Sequence, residues 1–464
     1  MKTTTRTAVK NGAPAAGGAQ GSGVAGPRSL ELFTEEQGYF TPGLQQIAIF
    51  SQLVMDKGRG ALLYDVDGKE YVDFVAGVCV AAIGHGHPGY AQAIAEQVAN
   101  IHVGSFTTRN RVEFCRRLMR HTPKGLDRVQ LYSGGAESVE AAFRLAKSHT
   151  QGFEFVGFWG GFHGKTGGVL PLLGDTSFKQ GLGPLMPGTY SSPFPDPYRC
   201  PLGTVGKHDC AAHCLEFLRS MIRRATTGKL AAIIVEPIQG TAGNIIPPAG
   251  FLPGLREVAH EFGGLLIADE MITGFGRTGK WFGCLHEDVR PDIITVGKGM
   301  GGGFPVTGLI ARSEIAGAKP FANPSGSSSS YGGNPLASAA CNAAMRIVEE
   351  EGLVENSRVI GERILARLRK MQERFPFMGD VRGRGLLIGV EMIKDPKTKE
   401  RLGPVSCRRI FDEGLRRGLI TMAYSPVIRI NPPLNITAEQ ADRGLDILEE
   451  TFAAVSRTPD FGKC

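Results

Sequence analysis

The chain has 464 residues, about three domain-equivalents at roughly 150 residues each, enough to bury a large core and shape a pocket. Lys and Arg number 52 against 45 Asp and Glu, so the formal net charge is a mild +7; with no basic block, this argues against nucleic acid as the main partner while leaving room for a basic rim that draws anionic ligands. An apolar content of 42% excludes global disorder, no apolar run reaches the ~18 residues of a membrane span, and 64 glycines without a Gly-X-Y period exclude collagen and point to many close backbone approaches.

Residues 1 to 28 are mostly Ala, Gly, Thr and Ser, with four basic residues and no acid. They lack the continuous apolar stretch of a secretory signal and read as a disordered tail, with a transit peptide as the alternative. From about residue 60, short apolar runs alternate with helical patterns. Val129–Tyr132, Phe155–Phe158, Leu230–Val235, Leu265–Ala268 and Ile293–Val296 read as strands buried on both faces of a mostly parallel sheet. Val139, Ala142, Phe143 and Ala146 fall at the spacing of a helix that covers such a sheet. The pattern predicts an α/β fold. The Ser-rich tract 324–330 reads as a loop, and the helix-rich, charged sequence beyond it sets a domain boundary near 335. After the strand Val427–Ile430 and the Pro432-Pro433 break, Thr437 and Gln440 fit a capping box for a helix with Ala441, Leu445, Leu448 and Phe452 on its inner face.

Nine scattered cysteines, an odd number, read as free thiols in a reducing compartment, which predicts a cytoplasmic location. Cys200, His208, Cys210, His213 and Cys214 crowd one stretch, but only Cys210 and Cys214 approach a ligand pair. The stretch reads as a polar loop with free thiols, and no metal is expected. Two motifs are discarded. Gly297 to Gly302 matches G-x-G-x-x-G after a strand, but Gly303, Phe304 and Pro305 stand where a dinucleotide site needs a helix. Gly164-Lys165-Thr166 resembles the end of a P-loop whose first glycine would be Trp159.

Five weaker signals remain. Lys298, between two glycines at the mouth of a buried strand, can reach a carbonyl and form a Schiff base; its plainer reading is an exposed lysine. Asp269 closes an apolar strand, where a carboxylate needs a partner such as a pyridinium nitrogen or, more plainly, a structural cation. Gly134, Gly135 and Ala136 follow a strand and open a helix, whose free amides suit a phosphate as well as an ordinary turn. Phe162 and His163 follow another strand, where an aromatic ring can stack on a flat cofactor or simply fill the core. Arg429 sits in an apolar strand and suits a substrate carboxylate or a structural salt bridge. Taken together, these are the parts that pyridoxal phosphate (PLP) chemistry requires.

From about Gly58 to Phe452 the chain resembles the class III, ornithine/4-aminobutyrate-type aminotransferases of fold type I. The resemblance is carried by Gly84-His-Gly-His-Pro88, Gly135-Ala-Glu137, Phe162-His-Gly164 and Glu236-Pro-Ile-Gln-Gly240. It continues through Asp269-Glu-Met-Ile-Thr-Gly-Phe-Gly-Arg-Thr-Gly279, Gly297-Lys-Gly299, Gly332-Gly-Asn-Pro335 and Arg429-Ile-Asn-Pro-Pro433. It implies a large PLP-binding domain over 81–334, with a mostly parallel sheet, and a smaller α+β domain over 335–464 joined by residues 29–80. Lys298 becomes the Schiff-base lysine and Asp269 the partner of the ring nitrogen. Gly135 and Ala136 would meet the phosphate, and Phe162 with His163 on one side and Met271 on the other would bound the ring. Ser330 falls where a hydroxyl reaches the phosphate of the neighbouring subunit, so a homodimer with active sites at its interface is implied. Arg429 would hold an α-carboxylate, and Glu236 falls where a pocket glutamate often pairs with that arginine.

The chain departs from the family pattern at Gly134, which replaces a phosphate-binding serine, and at Met271 and Ile272, which replace valine and glutamine. Stretches at 125–128, 135–138 and 379–385 look closest to dialkylglycine decarboxylase. Val78 and Phe162, where that enzyme has glutamine and tryptophan, weigh against decarboxylation. The implied activity is ping-pong transfer of an amino group from an amino-acid donor, glutamate or alanine, to a keto or aldehyde acceptor. Racemisation, epimerisation or decarboxylating transamination are alternatives on the same scaffold, and a non-catalytic protein that retains the fold is an alternative of another class.

Overall fold

The computed structural model describes residues 21–203 and 210–462. Residues 1–20 of the expected tail and His208 of the cysteine–histidine stretch lie outside these. Within the rest of the expected tail, Ser22 is buried and donates through Oγ to Ser51 O at 3.1 Å. The helix Pro27–Gln37 begins there too, with Asp67 accepting from the amides of Arg28 and Ser29 at 3.0 and 2.9 Å. A carboxylate at a helix N-terminus satisfies amides that have no intrahelical acceptor.

The five apolar runs form strands within a residue of their expected bounds: Arg128–Tyr132, Glu154–Phe158, Leu230–Val235, Leu265–Asp269 and Ile293–Val296. They belong to a seven-stranded sheet that also contains Thr307–Ala311 and an edge strand, Thr189–Ser192. In spatial order it runs Arg128–Tyr132, Thr307–Ala311, Ile293–Val296, Leu265–Asp269, Leu230–Val235, Glu154–Phe158, Thr189–Ser192. Thr307–Ala311 is antiparallel to both neighbours, and the other pairings are parallel. Every residue of the Leu230–Val235, Leu265–Asp269 and Ile293–Val296 strands is buried, the signature of a sheet covered on both faces.

Two smaller sheets stand apart from it. Met378–Arg384, Leu387–Asp395, Glu400–Arg401 and Val427–Ile430 make one, all antiparallel. Met55–Arg59, Leu62–Asp65 and Glu70–Asp73 make the other, completed by Leu419–Ile420 in parallel with Glu70–Asp73. One hydrophobic core gathers Tyr71, Val72 and Phe74 with Leu386, Ile428, Leu445 and Phe452, so chain segments more than 300 residues apart in the sequence exclude water together. The helix Pro335–Glu350 serves two cores: Ala337, Cys341 and Met345 face the large sheet's, while Ala344, Ile347 and Val348 face this one. The last helix, Ala438–Ser456, has the expected capping box, with Gln440 N on Thr437 Oγ1 at 3.2 Å and Thr437 N on Gln440 Oε1 at 3.1 Å. Ala441, Leu445, Leu448 and Phe452 are all buried.

The cysteine stretch differs from the expected polar loop. Cys210 and Cys214 lie on the helix Cys210–Ala225 and, with Cys200, pack into a hydrophobic core, where Cys210 Sγ approaches Cys200 Sγ to 3.3 Å. The helical period that turns residues 210, 214 and 218 to one face is the reason. Burial pushes the Cys214 thiol up to about 11. Among the described residues no group of three or more His, Cys, Asp or Glu is arranged to hold a metal, and no helix is long and apolar enough to cross a membrane.

Candidate active site

Asp269, Lys298, Glu236, Phe162 and Gly135 all stand at or just beyond the carboxyl ends of strands in the large sheet, the edge where open α/β sheets bind ligands. Asp269 is 3% exposed. Its Oδ2 meets His163 Nδ1 at 2.7 Å, and its Oδ1 accepts from Thr295 Oγ1 at 3.1 Å and Met271 N at 3.2 Å. Burial opposes a charged His163, but the Asp269 hydrogen bond and the charges of Asp269 and Glu236 raise its pKa overall. Thr295 is a site residue that the sequence reading passed over, although a hydroxyl inside the apolar run 293–296 was a usable signal.

Lys298 opens a single 3-10 turn, Lys298–Gly301, so no dinucleotide-type helix follows Gly297. Its φ of +46° places it in the left-handed region, a strained conformation for a side chain other than glycine. Burial lowers the pKa of its ammonium; Arg429 acts in the same sense, against Cys79, Asp269 and Glu236. Met271 lies beside this turn: a Cβ added at Gly297 would fall 2.6 Å from Met271 Sδ, and one at Gly135 would fall 3.8 Å from it.

The helix Gly135–Thr150 starts from Gly134, which has no side chain to cap it. The Glu137 carboxylate instead accepts from Ser133 N at 3.0 Å and Gly134 N at 3.3 Å. Among the described residues, the amides of Gly135 and Ala136 have no protein acceptor. The loop bearing Phe162 and His163 closes on this terminus at Gly164, whose φ is +119° and where a Cβ would fall 2.5 Å from Ala136 Cβ. Gly164→Ala is therefore expected to splay the loop from the helix, at a cost of about 1–3 kcal/mol in cofactor retention. Titration of the cofactor-free variant with PLP, followed by absorbance, checks this; wild-type affinity would refute it. The Phe162 ring is partly buried and packs edge-on against Phe178 at 5.4 Å.

Glu236 corrects an expectation. Its carboxylate does not pair with Arg429. It accepts from Phe162 N at 2.9 Å and Gly240 N at 3.0 Å, because the carboxyl turns into the amides of the two loops it lies between. Burial raises its pKa, with His163 opposing and Asp269 adding to the shift. Arg429 is left with Met422 Sδ at 3.2 Å and faces Cys79, Tyr424 and Glu236 electrostatically. Ser330 is exposed in the loop before the helix Pro335–Glu350, with no hydrogen bond to the residues above.

One further element had no signal in the sequence beyond Gly77. Ala76, Gly77, Val78 and Cys79 take successive φ values of +50°, +57°, +61° and +68°, a left-handed turn that costs roughly 1–2 kcal/mol for each residue with a Cβ. Asp73 holds its entrance by accepting from Val75 N at 2.8 Å and Ala76 N at 2.9 Å. The turn delivers Cys79 to an apolar group with Ile238, Ile272 and Leu387.

These residues fit PLP by the chemistry of the donors present. Free amides at a helix start suit a phosphate. A buried carboxylate braced by His163 and Thr295 suits a protonated ring nitrogen, and a lysine of lowered pKa suits an aldehyde carbon. Residues 46–452 match the family model described as "Aminotransferase class-III".

The chain belongs to the class III aminotransferases. It is a PLP-dependent enzyme of fold type I. This aminotransferase is similar to an acetylornithine aminotransferase of Methanopyrus kandleri, 38% identical, covering 86% of this chain and 93% of the relative. It is also similar to an alanine/serine racemase of Pyrococcus horikoshii, 36% identical over 92% of this chain and 91% of the relative. Among solved structures, an amine transaminase from an uncultivated Pseudomonas species in its PLP-bound form matches with a TM-score of 0.84 at 31% identity, covering 90% of this aminotransferase and 99% of that chain.

Proposed function

We propose that this aminotransferase takes its amino group from a donor bearing an α-carboxylate, with L-glutamate or L-alanine as the first candidates, and passes it to a keto or aldehyde acceptor. The observation that carries this reading is Arg429: a guanidinium at the site with no carboxylate partner among the described residues, Glu236 being engaged by the Phe162 and Gly240 amides. Its planar fork matches a carboxylate.

In this reading Gly135 and Ala136 would donate to the cofactor phosphate, Asp269, braced by His163, would hold the ring nitrogen, and Phe162 and Met271 would bound the ring. When bound, PLP supplies an electron sink that lets a bond at the donor's Cα ionise. Lys298 would accept the Cα proton of the donor at Nζ and return it later in the transfer. Its lowered pKa supports that role, since a neutral amine is the competent base. His163 and Thr295 keep the Asp269 carboxylate oriented.

The chain is further proposed to act as a cytoplasmic homodimer. Exposed Phe106, at 80%, and exposed Ser330 support a partner surface; free, mostly buried thiols support a reducing compartment. We also propose the division into a large domain over 81–334 and a small domain formed by 29–80 with 335–464, supported by the shared core of the two outer segments.

The test is spectroscopic. Purified holoenzyme is expected to lose its visible cofactor band on addition of L-glutamate or L-alanine, with one equivalent of keto acid released. Racemisation is a second reading, favoured by the similarity to racemases from Pyrococcus horikoshii and Thermococcus litoralis. It predicts that the band persists while the donor loses its optical purity.

A further inference from the structure

Among the described residues, Arg277 is a buried cation with no ion pair. It is 2% exposed and heads the largest fully buried side chains of the protein. Burial lowers its pKa, against the influence of Cys79 and Asp73. Its partners are carbonyl oxygens: Nη1 donates to Leu386 O at 3.1 Å and to Pro432 O at 2.5 Å, while among the described residues Nη2 has no partner. Its own carbonyl accepts from Leu386 N at 3.0 Å and from Ser357 Oγ at 2.8 Å. Burying a guanidinium in this way is costly, and an apolar side chain of the same size would fill the space without that cost.

The geometry gives the arginine a purpose. Leu386 immediately precedes the strand Leu387–Asp395, and Pro432 lies two residues beyond the strand Val427–Ile430. These strands pair with Gly389 opposite Arg429. Arg277 therefore grips the start of one strand and the exit of the other, on the two strands that present Arg429. It does so from the loop that begins at Asp269. Phe275, Gly276 and Gly279 of that loop have φ of +57°, +90° and +82°, and Glu270 anchors it by accepting from Gly283 N and Cys284 N, each at 2.8 Å. The contact joins the part of the chain that carries Asp269 to the part that carries Arg429.

We infer that Arg277 is a positioning residue for the carboxylate clamp. It sets where Arg429 stands relative to Lys298 and Asp269, and through this sets the preference for donors with an α-carboxylate over amines without one. The inference rests on the reading of Arg429 as that clamp. One nitrogen, Nη1, at the end of a planar guanidinium holds both carbonyl oxygens, and a lysine ammonium on its flexible stem is expected to hold them less firmly.

The experiment compares single-turnover bleaching of the cofactor band by L-alanine and by 1-phenylethylamine in wild type, Arg277→Lys, Ser357→Ala and Arg429→Ala holoenzymes. For Arg277→Lys, half-saturation by L-alanine is expected to rise roughly tenfold, as a small misplacement of a binding group does. The value for 1-phenylethylamine should change less than about twofold. Ser357→Ala, which releases the Arg277 carbonyl but keeps the guanidinium, should move the same way by a smaller factor and serves if the arginine variant does not fold. Equal changes for both donors, or none for either, in Arg277→Lys would overturn the inference. Arg429→Ala separates the two claims. If it discriminates between the donors and Arg277→Lys does not, positioning fails alone; if it does not discriminate, the clamp fails first.

Discussion

Lys298→Ala holoenzyme is expected to lose turnover by at least about 10²–10⁴-fold, the range supplied by a positioned acid–base group, and to lack the visible band of a lysine-linked cofactor. The expectation follows from the position of the lysine. It stands on a strained left-handed residue after a fully buried strand, and the ionisable groups acting on it are Cys79, Asp269, Glu236 and Arg429. None of these is a basic amine that could take its place at neutral pH. Thermal melting of the variant guards against a folding defect, and added small primary amines should restore part of the rate if Nζ is the base. Turnover close to wild type in a well-folded Lys298→Ala protein would remove the lysine from the chemistry.

Arg429→Ala is the second large expected effect. Truncating one partner of a desolvated charge pair costs about 2–5 kcal/mol, so kcat/KM for an α-carboxylate donor should fall roughly 30-fold or more. The fall for an amine without a carboxylate should be far smaller. The same variant carries a signed pH prediction. Burial is the main cause of the lowered Lys298 pKa, and Arg429 adds to it. A lysine must be neutral to accept a proton, so activity rises with pH through the lysine's pKa. Without Arg429 that pKa moves back up, and the acid limb of the kcat profile should shift to higher pH. Steady-state rates across the acid and neutral range, with each donor, check both statements. An acid limb that stays in place or moves down would separate Arg429 from Lys298.

Local sequence determined a good deal of this protein. Runs such as 230–235 and 293–296 are apolar at every turn of the pleat or nearly so, and only a strand covered on both faces suits them. Thr437 and Gln440 specify a helix start through contacts three residues apart, and no distant partner is needed. The motif residues Asp269, Lys298, Gly135 and Phe162 were legible for a related reason. Each follows an apolar strand, and parallel strands bring their carboxyl ends to one edge.

Tertiary structure decided what depends on partners far away in the chain. Glu236 could pair with Arg429 or with backbone amides, and the folded loops at Phe162 and Gly240 settled it in favour of the amides. Helical phase alone put Cys210 and Cys214 on one face, but the core that accepts that face comes from the Leu230–Val235 and Phe251–Glu261 segments. The left-handed turn Ala76–Cys79 has no local residue pattern to announce it, because three of its four residues carry a Cβ and disfavour that conformation in isolation. It exists because Asp73 and the surrounding packing hold it. Arg277 shows the same limit: its place in the motif was plain, but its acceptors at Leu386 and Pro432 lie 109 and 155 residues further along the chain. Short-range periodicity and capping act within a few residues, whereas hydrogen bonds between segments form only after the whole chain has closed around them.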